Sequence, residues 1–280
     1  MTLPDQRVLA WSEWGPSDGT PVLFCTGAGM SGSLGFGADA VHELVVRLLA
    51  VDRPGLGRSS LHPDKSLDSW AEDIRELVSA EDLHDVTAVG FSQGAPFALA
   101  LGGSGIASCV AVVAGQDDLG HDALRAQLHP EVAAMVDAAR SDPAGFEQQL
   151  ARTADAAGLW QLVVTMSSDR DKEFYVSGTL GDAYLRSVQE GFSHGAAGYA
   201  RDLVTVLRPW LVAPEHMRVP VDLWYGQLDT SPVHSPDFGA TLATRLPAAT
   251  HTVLPNEGSS LLWTHARDIL SHLTKRTDTH

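Results

Sequence analysis

Gly90-Phe91-Ser92-Gln93-Gly94 is a stretch whose residue types suit nucleophilic chemistry. It directly follows a β-rich run, Val86 to Val89, and precedes a helical run, Ala95 to Leu101. In a strand, sharp turn and helix, small residues on both flanks let the backbone turn tightly and hold a serine hydroxyl exposed on strained dihedrals. Taken alone the pattern also suits a glycine-rich turn with an idle serine; the strand and helix around it favour the nucleophile. A second glycine-bearing loop, Thr26-Gly27-Ala28-Gly29-Met30, ends the run that begins at Val22. Backbone N–H groups in such a loop can supply half of an oxyanion hole, the other half coming from the N–H after the nucleophile. The chemistry these residues suggest is acyl transfer through a serine oxygen.

Elements able to hold such loops recur along the chain. Short β-rich runs, Val8–Trp11, Val22–Cys25, Leu48–Val51, Val86–Val89, Cys109–Val113, Val221–Tyr225 and Thr250–Leu254, alternate with helical stretches. That alternation predicts an α/β fold, a mostly parallel sheet with helices on both faces and its ligand-binding loops at the strand ends. The spacing breaks once. Roughly a hundred residues between Gly115 and Val219 contain no clear strand, too many for one crossover. Helical stretches such as Pro130–Ala139 and Ala183–Glu190 fill it, with turns at Asp142-Pro143 and Gly178. The reading is a core of residues 1–115 and 215–280 carrying a helical lid over 116–214. The polar tail from Lys275 to His280 is expected to fray.

Composition narrows the function classes. With 44% hydrophobic and 19% charged residues in 280, the chain suits one large soluble domain bearing an insertion. A formal charge of −16 disfavours nucleic acid and anionic membranes as partners, since both need a cationic surface. No apolar run is long enough to cross a bilayer, and the first residues lack the basic and apolar stretches of a signal peptide, so the expected compartment is the cytoplasm. Cys25 and Cys109 sit inside apolar runs, as buried structural thiols do. The expected partner is a small molecule, with no cofactor, no metal, no nucleic acid and no membrane; no oligomeric state is assigned.

Asp52-Arg53-Pro54-Gly55-Leu56-Gly57-Arg58-Ser59 ends the third run as a tight turn. In this turn, the elbow at Ser92 and their mutual spacing, the whole chain resembles the alpha/beta-hydrolase superfamily. One departure is Thr26-Gly27, where many members carry His-Gly. The resemblance implies oxyanion donors at the N–H groups of Ala28 and Gln93. It implies a catalytic acid after the strand that follows the lid, which is Asp229 here; Asp117 and Asp118, past the preceding strand, are the weaker alternative. It places a catalytic histidine in the loop after the last strand, Pro255 to Trp263, where the aligned residue is Ser259.

Serine has no basic nitrogen near neutral pH and cannot accept the nucleophile's proton as imidazole does. Among the 12 histidines, His234, five residues past Asp229, is the best substitute base, although a surface or helix-end role is the plainer reading for each of them. The others weighed are His265, past Ser259, His251, which begins the last strand at the end away from the chemistry, and, in the lid, His121, His129 and His194. Lid aromatics and Met166 (Trp160, Phe174, Tyr175, Tyr184, Phe192, Tyr199) read first as core of the helical layer. Two functions follow: a serine hydrolase of the esterase type acting on a small, partly apolar substrate, inactive if the histidine is lost by nature or by engineering; or a non-hydrolytic member that binds a small molecule or works as a lyase or cyclase.

Overall fold

Alternation of side chains along the central strands explains the layers. In β2 (Thr20–Cys25), Val22 and Phe24 enter the core on one face of the sheet, and Leu23 and Cys25 the core on the other. The same holds in β3 (Val46–Val51), where Leu48 and Ala50 oppose Leu49 and Val51. The computed structural model describes residues 1–210 and 213–277. With β1 (Trp11–Trp14), β4 (Thr87–Phe91), β5 (Val110–Val113), β6 (Val221–Gly226) and β7 (Ala249–Leu254), these strands make one sheet in the order β1-β3-β2-β4-β5-β6-β7. Only β1 runs antiparallel; every other pairing is parallel.

The first strand lies later than the run Val8–Trp11 suggests. The backbone N–H groups of Val8 and Ala10 donate to the hydroxyls of Ser60 and Ser59, so this stretch is bound to the turn after β3. It joins the sheet only from Trp11.

Helices α1 (Ala38–Glu43), α2 (Leu67–Ala80) and α3 (Gly94–Gly103) connect the first strands. The Ser66 and Ser69 side chains close a capping box at the start of α2, and Trp70, Ile74 and Leu77 form its buried stripe. Among the described residues seven α-helices and a short 3-10 turn (Pro214–His216) then lie between β5 and β6, the α-helices being α4 (Asp122–Arg125), α5 (Pro130–Ser141), α6 (Pro143–Thr153), α7 (Ala156–Met166), α8 (Asp169–Tyr175), α9 (Gly178–Gly191) and α10 (Ala197–Leu207). Their starts are written locally: Asp142, Asp155 and Ser168 each accept a backbone N–H at the first turn of α6, α7 and α8. Gly178 opens α9 at φ 60° where a separating turn was expected. A satellite core of Leu119, Val132, Val136, Ala139, Leu203 and Leu207 holds α5 and α10 together. No strand interrupts these helices among the described residues.

Helices α11 (Ala240–Arg245), α12 (Leu261–Thr264) and α13 (Ala266–Thr277) complete the chain. Lys275 to Thr277 continue α13, where fraying was expected, and residues 278–280 lie outside the described residues. Both cysteines are free and buried, and burial pushes each thiol up to about 12. Among the described residues no helix is long and apolar enough to cross a membrane.

Candidate active site

Ser92 stands between the end of β4 and the start of α3 at φ 52°, a left-handed conformation costly for a residue with a side chain. The flanking glycines make it possible. A Cβ on Gly94 would lie 2.0 Å from the Cys25 carbonyl oxygen, and one on Gly90 2.6 Å from the Ala95 Cα. The turn is locked from the other side as well: the Ser92 N–H donates to the Val113 carbonyl at 3.2 Å, and its own carbonyl accepts from Gln116 at 2.9 Å. The hydroxyl is thus fixed beside the loops that follow β5 and β6.

The loop after β6 supplies the partners. Asp229 Oδ1 accepts the Ser231 N–H at 2.9 Å, and the His234 N–H donates to the Ser231 carbonyl at 3.2 Å. These bonds fold residues 229–234 into a compact turn that returns the imidazole to the carboxylate. His234 Nδ1 lies 2.6 Å from Asp229 Oδ2, and His234 Nε2 lies 2.8 Å from Ser92 Oγ. A carboxylate oxygen accepts, so Nδ1 carries the proton and donates to Asp229. Nε2 of the neutral ring then accepts the Ser92 hydroxyl proton. Both side chains are nearly inaccessible, 8% for His234 and 4% for Asp229, which keeps water from competing for these bonds.

An imidazole therefore stands at Ser92, and it belongs to the residue that the sequence ranked only as a substitute, not to the loop after β7. Ser259 in that loop is 4% exposed and lines the same cavity, but its hydroxyl bonds Tyr175 Oη at 2.8 Å. Burial, and then the neighbouring Tyr184 and Asp171, hold the Tyr175 phenol well above its usual range, so it stays protonated. Asp171, fully buried in α8, accepts the Ser260 N–H at 2.7 Å and the Ser168 hydroxyl at 2.8 Å. The position expected to hold histidine is where the inter-strand helices dock.

The remaining candidates lie elsewhere. Asp117 accepts the Ser235 hydroxyl at 2.8 Å and the Asp118 N–H at 2.7 Å, and burial pushes its carboxyl up to about 6. It supports the residue after His234 and does not touch the ring. Asp118 pairs with Arg245 at 3.0 Å. His251 bonds the Phe238 carbonyl, His265 lies beside Asp268 and Glu257, and His121 caps α4. The N–H groups of Ala28 and Gln93 donate to no acceptor among the described residues.

The cavity at Ser92 measures about 40 Å³ and is closed by Val163, Met166, Tyr175 and Tyr184 from α7, α8 and α9. Met166, Tyr175 and Tyr184 thus face the site, while Trp160, Phe174, Phe192 and Tyr199 pack against the core. A larger cavity, about 410 Å³, lies between Ser12, Ser31, Arg58 and Glu190 and contains none of Ser92, Asp229 and His234. No group of three or more His, Cys, Asp or Glu side chains among the described residues is arranged to hold a metal ion.

A family model described as the alpha/beta hydrolase family matches residues 22–271. The chain belongs to the alpha/beta hydrolase family. Over 99 residues the chain is 33% identical to a non-heme chloroperoxidase of Burkholderia pyrrocinia, a match that takes in 34% of each chain. It thus spans about a third of that relative's length. Among solved structures, a bromoperoxidase from Bacillus anthracis has TM-score 0.70 and 19% identity, with 96% of both chains covered. The esterase EaEST from Exiguobacterium antarcticum has TM-score 0.69 and 16% identity, covering 99% of this chain and 98% of that one. At these identities the two structures share the fold.

Proposed function

We propose that this hydrolase is a serine esterase in which Ser92 attacks an ester carbonyl, His234 takes and returns its proton, and Asp229 holds the imidazole tautomer and its charged form. The observation that carries the reading is the unbroken chain of hydrogen bonds, 2.8 Å from Ser92 to His234 and 2.6 Å from His234 to Asp229. Each link meets the reach that a general base and its orienting acid require. The unpartnered N–H groups of Ala28 and Gln93 are the donors for the oxyanion. On this reading the scaffold is not one deprived of its base, and Ser259 has no share in proton transfer.

Helices α4 to α10, within residues 116–214, act as the cap. A cavity of about 40 Å³ is far below the ~300 Å³ or more of ordinary ligand pockets, so a short acyl group fits and anything longer requires the cap to move. The substrate class is a small, partly apolar ester. The test is hydrolysis of p-nitrophenyl acetate and p-nitrophenyl octanoate by the unaltered protein, Ser92→Ala and His234→Ala. Turnover of the acetate, lost in both variants, supports the proposal; absence of turnover in the unaltered protein, or its survival in His234→Ala, refutes it.

The local likeness to a non-heme chloroperoxidase favours a second reading, in which the same site serves peroxide-dependent halogenation. Halogenation of a phenolic dye by peroxide and bromide, dependent on Ser92, separates it from simple ester hydrolysis.

A further inference from the structure

Arg53 follows β3 in the turn Asp52–Ser59, and its guanidinium is wholly buried, with a side-chain exposure of 0%. Burying a cation is costly, and it persists only where its donors are satisfied. All three of its nitrogens meet acceptors. Nε donates to Asp202 Oδ2 at 2.8 Å, and Nη1 donates to the Thr26 carbonyl at 2.5 Å and reaches its hydroxyl at 3.4 Å. Nη2 donates to the Gly27 carbonyl at 2.9 Å and reaches Gln93 Oε1 at 3.4 Å. The plane also lies over the Phe97 ring, 4.7 Å from its centroid.

These acceptors are not scattered. The Gly27 carbonyl belongs to the same peptide unit as the Ala28 N–H. Among the described residues no peptide bond is cis, and in a planar trans unit the N–H points opposite to the C=O. Fixing the oxygen on Arg53 therefore fixes the direction in which the Ala28 N–H points. A positive charge at that oxygen also polarises the amide and makes its N–H a stronger donor. The second acceptor is the side chain of Gln93, the residue that carries the other unpartnered N–H.

We infer that Arg53 is the positioning residue of the oxyanion hole, one guanidinium holding both the Gly27–Ala28 peptide and Gln93 from behind. Its own anchor is in the cap. Asp202, on α10, is fully buried, and its second oxygen lies 2.5 Å from the ammonium of Lys65. Lys65 in turn donates to the Pro54 carbonyl at 2.6 Å. The cap thereby reaches the oxyanion loop through Asp202 and Arg53, and a cap displaced from the core loosens the donors along with the pocket. The inference rests on Ser92 being the nucleophile.

The experiment compares Arg53→Lys, Arg53→Met and Asp202→Asn with the unaltered protein. Each is brought to equal numbers of working sites by titration with a phosphonate, and folding is checked by thermal melting. Three quantities are read: kcat and KM for p-nitrophenyl acetate, and affinity for phenylboronic acid, whose tetrahedral adduct with the serine places an oxygen in the hole. We expect kcat per site to fall about 100-fold in Arg53→Met, the scale of losing one oxyanion donor. Arg53→Lys keeps the charge but cannot span both acceptors, and should lose about 10- to 100-fold. Asp202→Asn should lose about 10-fold, with boronate affinity falling in parallel and KM staying within about 3-fold throughout. A merely structural arginine would lower the yield of folded protein and leave these per-site quantities alone. Folded variants with unchanged kcat and boronate affinity overturn the inference. If Arg53→Met does not fold, Arg53→Lys and Asp202→Asn decide it by the same criterion. An unaltered protein inert toward both ester and boronate overturns the esterase proposal itself, and this inference with it.

Discussion

Two loops leave the same end of the sheet side by side, one after β6 and one after β7, joined where the Leu228 N–H donates to the Glu257 carbonyl at 2.8 Å. The first carries Asp229 and His234 and turns both toward Ser92. The second carries Ser259, bound to Tyr175, and Ser260, whose N–H is held by Asp171. One loop is built around a proton path and the other around docking the inter-strand helices. What a serine nucleophile needs is an imidazole nitrogen at hydrogen-bond distance with its second nitrogen tied to a carboxylate. Either loop is near enough to deliver it. A turn of six residues, 229–234, does so here, and the neighbouring loop is free to hold the cap.

The largest effects should separate the loops sharply. His234→Ala should cost about 10⁴- to 10⁶-fold in kcat for p-nitrophenyl acetate. Adding Ser92→Ala should cost little more, because the two act as a unit; additive losses would break the pairing. Asp229→Asn should lose on the order of 10⁴-fold while the fold survives, because the amide presents the ring with the wrong tautomer.

Asp117 sharpens the same contrast through stability. Its carboxyl has an ordinary value of 3.8 and lies near 6 in the fold because it is buried. Below about pH 4 it is protonated folded or unfolded. Between about 4 and 6 the unfolded chain ionises first, so stability falls as pH rises, by up to ~3 kcal/mol when the transition is complete. Asp117→Asn should flatten that slope and raise stability at pH 7. It should keep kcat within a few-fold, since an amide can still bond Ser235. A collapse of kcat would make Asp117 part of the chemistry. The smallest effect belongs to the other loop. Ser259→Ala should cost about 1 kcal/mol of stability for the lost Tyr175 bond and leave kcat within a few-fold. Ser259→His should bring no gain in turnover; a large gain would reinstate the β7 loop as the seat of the base.

Much of this is written locally and can be read from the chain. Short continuous apolar runs mark β2 and β3, buried on both faces of the sheet, and the elbow at Ser92 declares itself because its glycines, strand and helix are contiguous. Asp229 is legible as the first acid past the β6 strand. His234 is not, since nothing about an exposed-looking Ser231-Pro232-Val233-His234 says that Asp229 Oδ1 will cap the Ser231 N–H and curl the imidazole back. The only local signal is an aspartate followed five residues later by a histidine across a Ser-Pro turn. Arg53 and Asp202 are further still from view, 149 positions apart and brought together only when α10 packs on the turn after β3. Ser259 misleads for the same reason: its place in the chain is that of a histidine, while its surroundings are those of Tyr175.

The central claim is that His234 activates Ser92, and its most direct measure is the rate at which a fluorophosphonate labels the Ser92 peptide at pH 8. Labelling reads the nucleophile itself and needs no knowledge of the substrate. We expect rapid modification of Ser92 in the unaltered protein, a rate lower by about 10³-fold or more in His234→Gln, and an unchanged rate in Ser259→Ala. Undiminished labelling of Ser92 in His234→Gln, or its loss in a folded Ser259→Ala, would contradict the account.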